Sequence, residues 1–492
     1  MNMVLYMSHG IGVTIIRFYM KVLKKIFYVG SFISLVSCST YDDTEKEVAK
    51  PFTNSTYPEL MQPIRQSVVD ADVSGALDSY KKNISDNSEI ATLDDLEIAR
   101  LEQLSDNFNS SIETYNKAID TIPKTNDQIE DDAKEVILNK DTYDYYENKV
   151  KYSIPDYSIT FLYTYQSLNY LKNHDLKKAL ETLKGLDYAK NWLDEQDMIA
   201  AGMKELGKDY FNRYQISTQT LGLKYFDDLN SMVTFTKRVP DAYGNPLSYY
   251  LKAMLIEATS KDYESALDEI NNARKYTLGN KSLERTAMEY KRAVYHQLSP
   301  FPMGMGRIVV LYEQSFINAR QKTKTKLDLG DLGLINFSFP FYSSNYDFLS
   351  PVKVVISDEK DNKLLETQTE ILMDTTLYAM KSLVEEYSRI LTKDVLIEIA
   401  KQSYDKNAKG LGGLLGNHLK FDLSKTEPKR ADLRSWLLLP NSIQLFEQVA
   451  DSGKYIIIVN NVRQKIRIEQ GKTTLVWVVD IGKFKKVFYF II

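Results

Sequence analysis

From about residue 58 to residue 288, apolar positions recur at helical spacing and are separated by short polar turns. Three segments repeat one template: Phe108, Ser111, Ile112, Tyr115 and Ala118; then Leu176, Ala179, Leu180, Leu183 and Leu186; then Tyr263, Ala266, Leu267, Ile270 and Ala273. An aromatic or leucine is followed at +3 by a small residue and then by apolar positions at +4, +7 and +10. With 3.6 residues per turn these positions share one helix face, and the small residue lets a neighbouring helix come close. Each segment follows a polar turn (Ser105–Asn107, Lys172–Asp175, Thr259–Asp262) and an earlier apolar helix. The pattern therefore predicts helix–turn–helix units of tetratricopeptide type. The first two units are 68 residues apart, twice the ~34-residue period of such repeats, but the next interval of 87 residues fits no multiple. The array is degenerate and interrupted, with a generic bundle of amphipathic helices as the plainer alternative. Helix is also expected over Asp194–Phe211, and Asn245-Pro246 reads as a helix entry.

Near residue 299 the pattern changes. Pro300, Pro302, Gly304 and Gly306 break the helical period, and Arg307–Glu313 reads as a buried strand. Strands are predicted at Ile335–Phe341 and Val352–Ile356, a helix over Thr369–Tyr404, and four strands at Tyr455–Asn460, Gln464–Glu469, Thr474–Val479 and Val487–Ile491. The expected architecture is an α-helical tetratricopeptide-like repeat array over residues 58–298, followed by a smaller α+β C-terminal domain over residues 299–492, of which residues 305–492 are expected to fold by themselves.

The first 57 residues carry a different message. Leu35-Val36-Ser37-Cys38 is a lipobox, preceded by the apolar run Phe27–Ser34 and by Lys21, Lys24 and Lys25. The run from Ile26 to Val36 is too short to cross a bilayer core of about 30 Å. Residues 1–37 therefore read as a lipoprotein signal peptide, with 1–19 an over-extended start before Met20. Acyl chains on Cys38 would anchor the chain. Ser39 after the cysteine points to the outer membrane, on its periplasmic face. Asp42, Asp43, Glu45 and Glu47 make residues 38–57 an acidic tether.

Composition narrows the rest. The formal charge is −4, and it becomes −8 once residues 1–38 are removed, since they hold four basic residues and no acid. Such a chain has no electrostatic footprint for nucleic acid. Cys38 is the single cysteine, so packing alone must hold the body.

Three blocks stand out: Gly304-Met305-Gly306-Arg307-Ile308-Val309-Val310-Leu311-Tyr312-Glu313-Gln314-Ser315, then Ala431-Asp432-Leu433-Arg434-Ser435-Trp436-Leu437-Leu438-Leu439-Pro440, and Asn245–Leu251. They resemble, in turn, the glycine–strand–Tyr-Glu signature, the second signature and the central repeat of one uncharacterised family of tetratricopeptide-like bacterial envelope lipoproteins. Ser315 stands where that family usually has glycine. The resemblance covers about residues 90–480; it implies a lipid-anchored envelope protein, sometimes encoded near activators of penicillin-binding proteins, and brings no catalytic residues with it.

Candidate chemistry is sparse. Tyr312, Glu313, Asp432, Arg434 and Trp436 form a candidate C-terminal polar site. Arg434 could be an anion clamp held by Asp432 against Trp436, or a structural ion pair beside a core plug, the reading favoured here. Glu313 could act as acid or base if burial raised its pKa. The glycine run Gly410–Gly416 lacks the ending of a phosphate loop. His174, His296 and His418 are far apart and show no metal-ligand spacing, so neither metal nor other cofactor is expected beyond the covalent lipid. The expected function is a non-enzymatic interaction scaffold, binding an envelope protein or peptide through Tyr163, Gln166, Asn169, Tyr250 and Lys252. The rival is an envelope hydrolase or small-ligand-binding protein with its site between array and C-terminal domain.

Overall fold

A computed structural model describes residues 56–83, 91–122, 152–190, 227–277, 279–328, 334–343, 345, 349–387, 390 and 431–492. Cys38 and its signal sequence, the helix expected over Asp194–Phe211 and the Gly410–Gly416 run lie outside these residues.

The helices come in pairs. They are α1 (Tyr57–Val69) with α2 (Val73–Asn83), α3 (Ala91–Leu104) with α4 (Phe108–Asp120), α5 (Asp156–Lys172) with α6 (176–190), then α7 (Asp227–Thr236), then α8 (Pro246–Ser260) with α9 (Tyr263–Tyr276), and finally α10 (Lys281–His296). One turn joins each of the four pairs. Ala71, Asp106, His174 and Lys261 all have positive φ, and each stands two residues before the first residue of its second helix. In the first three the next residue's N–H closes on the carbonyl five residues back: Asp72 on Ser67, Asn107 on Glu102, Asp175 on Tyr170. The first pair escapes the sequence template because Val73 opens it where the others have an aromatic or leucine. Yet Ala76 sits buried at +3 and Tyr80 at +7, and Val73 lies 35 residues before Phe108. The +3 residues Ser111, Ala179 and Ala266 are likewise fully buried. Ser111 donates to the carbonyl of Ala99 across its pair at 2.7 Å, contact that a larger side chain would prevent. Asn245 caps α8, its side chain accepting from Leu247 and Ser248 N–H, with Pro246 at the first helical position.

Helices give way to strands between His296 and Met305. Among the described residues eleven strands follow: β1 (Met305–Phe316), β2 (Gln321–Asp328), β3 (Leu334–Phe341), β4 (Lys353–Asp358), β5 (Lys363–Gln368), β6 (Glu370–Asp374), β7 (Pro440–Asp451), β8 (Gly453–Val459), β9 (Val462–Ile468), β10 (Thr473–Ile481) and β11 (Phe484–Ile491). They build a five-stranded sheet in the order β11-β10-β1-β7-β6, a four-stranded sheet β5-β4-β8-β9, and the hairpin β2-β3. β1 pairs parallel with β10 and antiparallel with β7. The helix expected from Thr369 begins only at 375, as α11 (375–387), because Glu370–Asp374 is taken by pairing with β7.

The result is three layers: helices, five-stranded sheet, four-stranded sheet. β1 is buried on both faces, which explains its unbroken apolar run. Val309 and Leu311 join a core with the helices, while Ile308, Val310 and Tyr312 join a second core with β4, β8 and β9. The first core runs from Tyr57 to Ile492, and Pro51–Ile492 forms one compact unit. Residues 299–492 therefore share their main core with the helices. Two glycines fit their places at the start of β1. Gly304 has φ +83, and a Cβ on Gly306 would lie 2.3 Å from the carbonyl oxygen of Glu469.

Candidate functional site

The predicted C-terminal polar residues do not converge. Tyr312 and Glu313 are neighbours on a strand, so they point to opposite faces. Tyr312 donates to Asp480 Oδ2 at 2.9 Å and accepts from Asn460 at 2.8 Å, beside the four-stranded sheet. Glu313 faces the helices and pairs with the guanidinium of Arg100 on α3, while Trp477 Nε1 donates to its other oxygen at 2.9 Å. Arg100 is fully buried, its charged end 4.2 Å from the centre of the Tyr165 ring. Burial acts to strip its charge, but the Glu313 carboxylate together with the Tyr165 and Tyr115 hydroxyls outweighs this and holds the guanidinium protonated. Asp432 and Arg434 form a two-pronged pair at 3.0 and 2.8 Å, with Arg434 over the Tyr152 ring. Trp436 is fully buried between Tyr115 and Tyr165, a core plug.

The helix residues proposed to meet a partner are also inside. Four of the five, Tyr163, Gln166, Asn169 and Tyr250, are buried, which corrects their assignment to an open groove. The cause is plain: the first helices of the pairs lie on the five-stranded sheet, so their inner faces contact the chain itself. Asn169 receives a bond from Gln103 at 2.6 Å and donates to Ser111 at 2.9 Å, and Gln166 donates to Asn116 at 2.8 Å. Tyr250 donates to Glu447 Oε2 at 2.5 Å. The Tyr163 ring lies against Gly185, where a Cβ would collide with it.

Lys252 is different. Its side chain spans α6, α8 and α9, meeting Asp187 at 3.2 Å and Glu269 at 2.9 Å. It lines a cleft of about 260 Å³ with Asn245, Ser248, Tyr249, Lys190 and Lys275. Tyr249 stacks on Tyr276, whose hydroxyl donates to Asp241 at 2.9 Å, so one wall is held rigidly. The cleft is polar and offers the ammonium donors of Lys190 and Lys275 and the carboxylate acceptor of Asp187.

Two charged clusters were not singled out from the sequence. Arg307, fully buried on β1, pairs with Glu257 of α8 at 2.7 Å, Glu289 of α10 at 3.1 Å and Glu447 of β7 at 3.3 Å. Hydroxyls of Tyr290, Tyr250 and Thr286 donate to the same carboxylates. Burial, then Glu447, raises the pKa of Glu289. Glu97 on α3 accepts from the backbone N–H of Leu437 at 2.7 Å and Leu438 at 3.1 Å, and from Tyr57 at 3.1 Å. Burial pushes Glu97 up to about 8 against these donors, and Asp94, bonded by Tyr80, up to about 7. A charge inside an apolar run is the sequence signal that marks such residues, as in Gly306-Arg307-Ile308-Val309 and Leu445-Phe446-Glu447. These charges tie helices to strands.

Among the described residues no group of three or more His, Cys, Asp or Glu side chains is placed to hold a metal ion, and no helix is long and apolar enough to cross a membrane. No protein-family model, curated protein or solved structure matches the chain.

Proposed function

We propose that the protein is a lipid-anchored, non-enzymatic interaction scaffold of the cell envelope, built on tetratricopeptide-like units and held by Cys38 on the periplasmic face of the outer membrane. The observation that carries this reading is the polar cleft between α6, α8 and α9, where Lys252 bridges two helix pairs and Tyr249, Lys190 and Lys275 remain accessible to a ligand. The usual groove of such arrays lies along the first helices; here the chain's own sheet covers that side, so the partner reads the cleft instead. A protein or peptide segment with carboxylates and backbone carbonyls suits its lysines and tyrosine hydroxyls. The repeated left-handed turns at Ala71, Asp106, His174 and Lys261 support descent of the helix pairs from one unit. The hydrolase reading has less support, because Glu313 is engaged by Arg100 in the core and Arg434 by Asp432 elsewhere.

The test is site-specific photocrosslinking in cells from position 275, on the full lipidated chain, with and without Tyr249→Ala. A discrete envelope partner, lost in the Tyr249→Ala background while protein level is kept, supports the scaffold. Crosslinks that are absent, or unchanged by the substitution, overturn the cleft as its binding site.

A further inference from the structure

We propose that the outer face of α10 and the loop after it form a second docking surface, for a protein segment that combines apolar and acidic side chains. Of the seven large hydrophobic side chains exposed among the described residues, five fall within 288–303. Met288, Arg292 and Tyr295 recur at +4 and +7, so they share one helix face. Met288 is 63 % exposed, Tyr295 82 %, Leu298 64 % and Met303 94 %. The loop is pinned, not trailing. Gln297 closes α10 with φ +54, Arg292 donates to the carbonyl of Pro300 at 3.1 Å, and Ser452 N–H donates to that of Gly304 at 2.8 Å. The Phe301 ring is held under Arg307, 4.7 Å away. Met303 is thus presented to solvent by a fixed backbone, over an open cleft of about 590 Å³ floored by Phe301, Pro302 and Gly471.

Three arguments choose the occupant. Met, Tyr and Arg are the residue types enriched where proteins meet, and Met adapts its shape to a partner. Among the described residues α10 also ends the row of helices that precedes β1, a position whose outer face is ordinarily polar. The rim charge is positive. Glu284 is engaged by Arg274 and Glu289 by Arg307, while Lys291 and Arg292 have no carboxylate partner among the described residues. A two-fold pairing of identical copies would set this cationic patch near its own image, which disfavours a second copy of the chain.

The test uses residues 51–492, which form one compact unit with its own core. The probes are a fluorescent 12-residue peptide of leucines spaced among glutamates, a leucine–lysine version and a serine–glutamate version. Anisotropy should show binding of the first at least about tenfold tighter than of the other two. Arg292→Glu and Met303→Glu should each weaken it about tenfold or more, and Leu364→Glu, on β5, should not. Equal binding of the charge-reversed peptide, indifference to both substitutions, or no binding up to about 1 mM would overturn the proposal. Dimerisation abolished by Met303→Glu, or binding to phosphatidylglycerol vesicles without peptide binding, would replace the occupant and overturn it too. Because this chain lacks Cys38, failure here leaves the anchor reading to its own test.

Discussion

Arg100 on α3 and Glu313 on β1, 213 positions apart in the chain, form one ion pair in the dry space between the helices and the central sheet. It is one of the buried charged links between the helices and the sheet, beside the Arg307 cluster. Truncating one partner would leave the other as a buried unpaired charge, so Arg100→Ala or Glu313→Ala should each cost about 3–5 kcal/mol. The double change Arg100→Met with Glu313→Leu should recover most of that loss. Urea midpoints of the three variants check this, and additive losses in the double variant would contradict it.

The same link decides the fate of the C-terminal part in isolation. Residues 299–492 expressed alone would expose Trp436, Trp477 and Phe488 and leave Glu313 without Arg100. We expect such a fragment to be insoluble or protease-sensitive, and co-expression with residues 51–298 to rescue it. A sharp, cooperative unfolding transition of the fragment would refute this.

Stability should fall as pH rises through neutrality. Glu97 and Asp94 hold their protons in the folded state up to about 8 and about 7, while in the unfolded chain they ionise near pH 4. The folded state therefore binds more protons in this window, and the stabilisation present below about pH 4 is lost as pH climbs to about 8, by at most about 1.4 kcal/mol per pH unit per group. Glu97→Gln should flatten the upper part of the curve. An unchanged slope in that variant between about pH 5 and 8 would rule Glu97 out as the source.

Ser315 has φ +57, and the pairing of β1 with β7 skips it. A left-handed backbone at serine costs about 1–2 kcal/mol, partly offset in glycine by its greater freedom when unfolded. Ser315→Gly should therefore stabilise the protein by up to about 1 kcal/mol. Gly306→Ala should do the opposite, because its Cβ would press on the Glu469 carbonyl. Thermal melts of both variants suffice.

Cys38→Ser should move the protein from the membrane fraction to the soluble envelope fraction. Retention in membranes after a high-salt wash would refute lipid anchoring at this residue.

What could be read from the sequence follows from how each segment shows its environment. The buried strand β1 was legible because both of its faces are apolar, and the last four strands because turns bracket them. β7 escaped because Ser442, Gln444, Glu447 and Gln448 interrupt its apolar run, though it crosses the middle of the sheet. The partner residues were misplaced because helical periodicity does not say what lies opposite a face. The clue was available in α5: no charged residue occurs from Tyr157 to Leu171, and fourteen of its seventeen residues are buried. A helix without a charged face is enclosed. The Asp432–Arg434 pair was legible since its members are two residues apart, whereas the partner of Arg100 lies across the whole domain and local pattern cannot supply it.

The placement of β1 at the centre of its sheet also governs the order of assembly. During synthesis the helix pairs emerge first, but the strands that flank β1 are β7 and β10, the latter ending only at Ile481. Helical hairpins made of near neighbours form quickly, while pairings between distant segments wait for loop closure. Arg100 and the aromatic faces around it must therefore stay wet until nearly the whole chain is out, and the joining of the layers becomes the slow step. Amide protection should appear early in α3–α6 and late, and all at once, in β1, β7 and β10. A chain with this schedule is exposed to aggregation for the length of that wait, and benefits from a holdase that covers the helical layer until the central strand arrives.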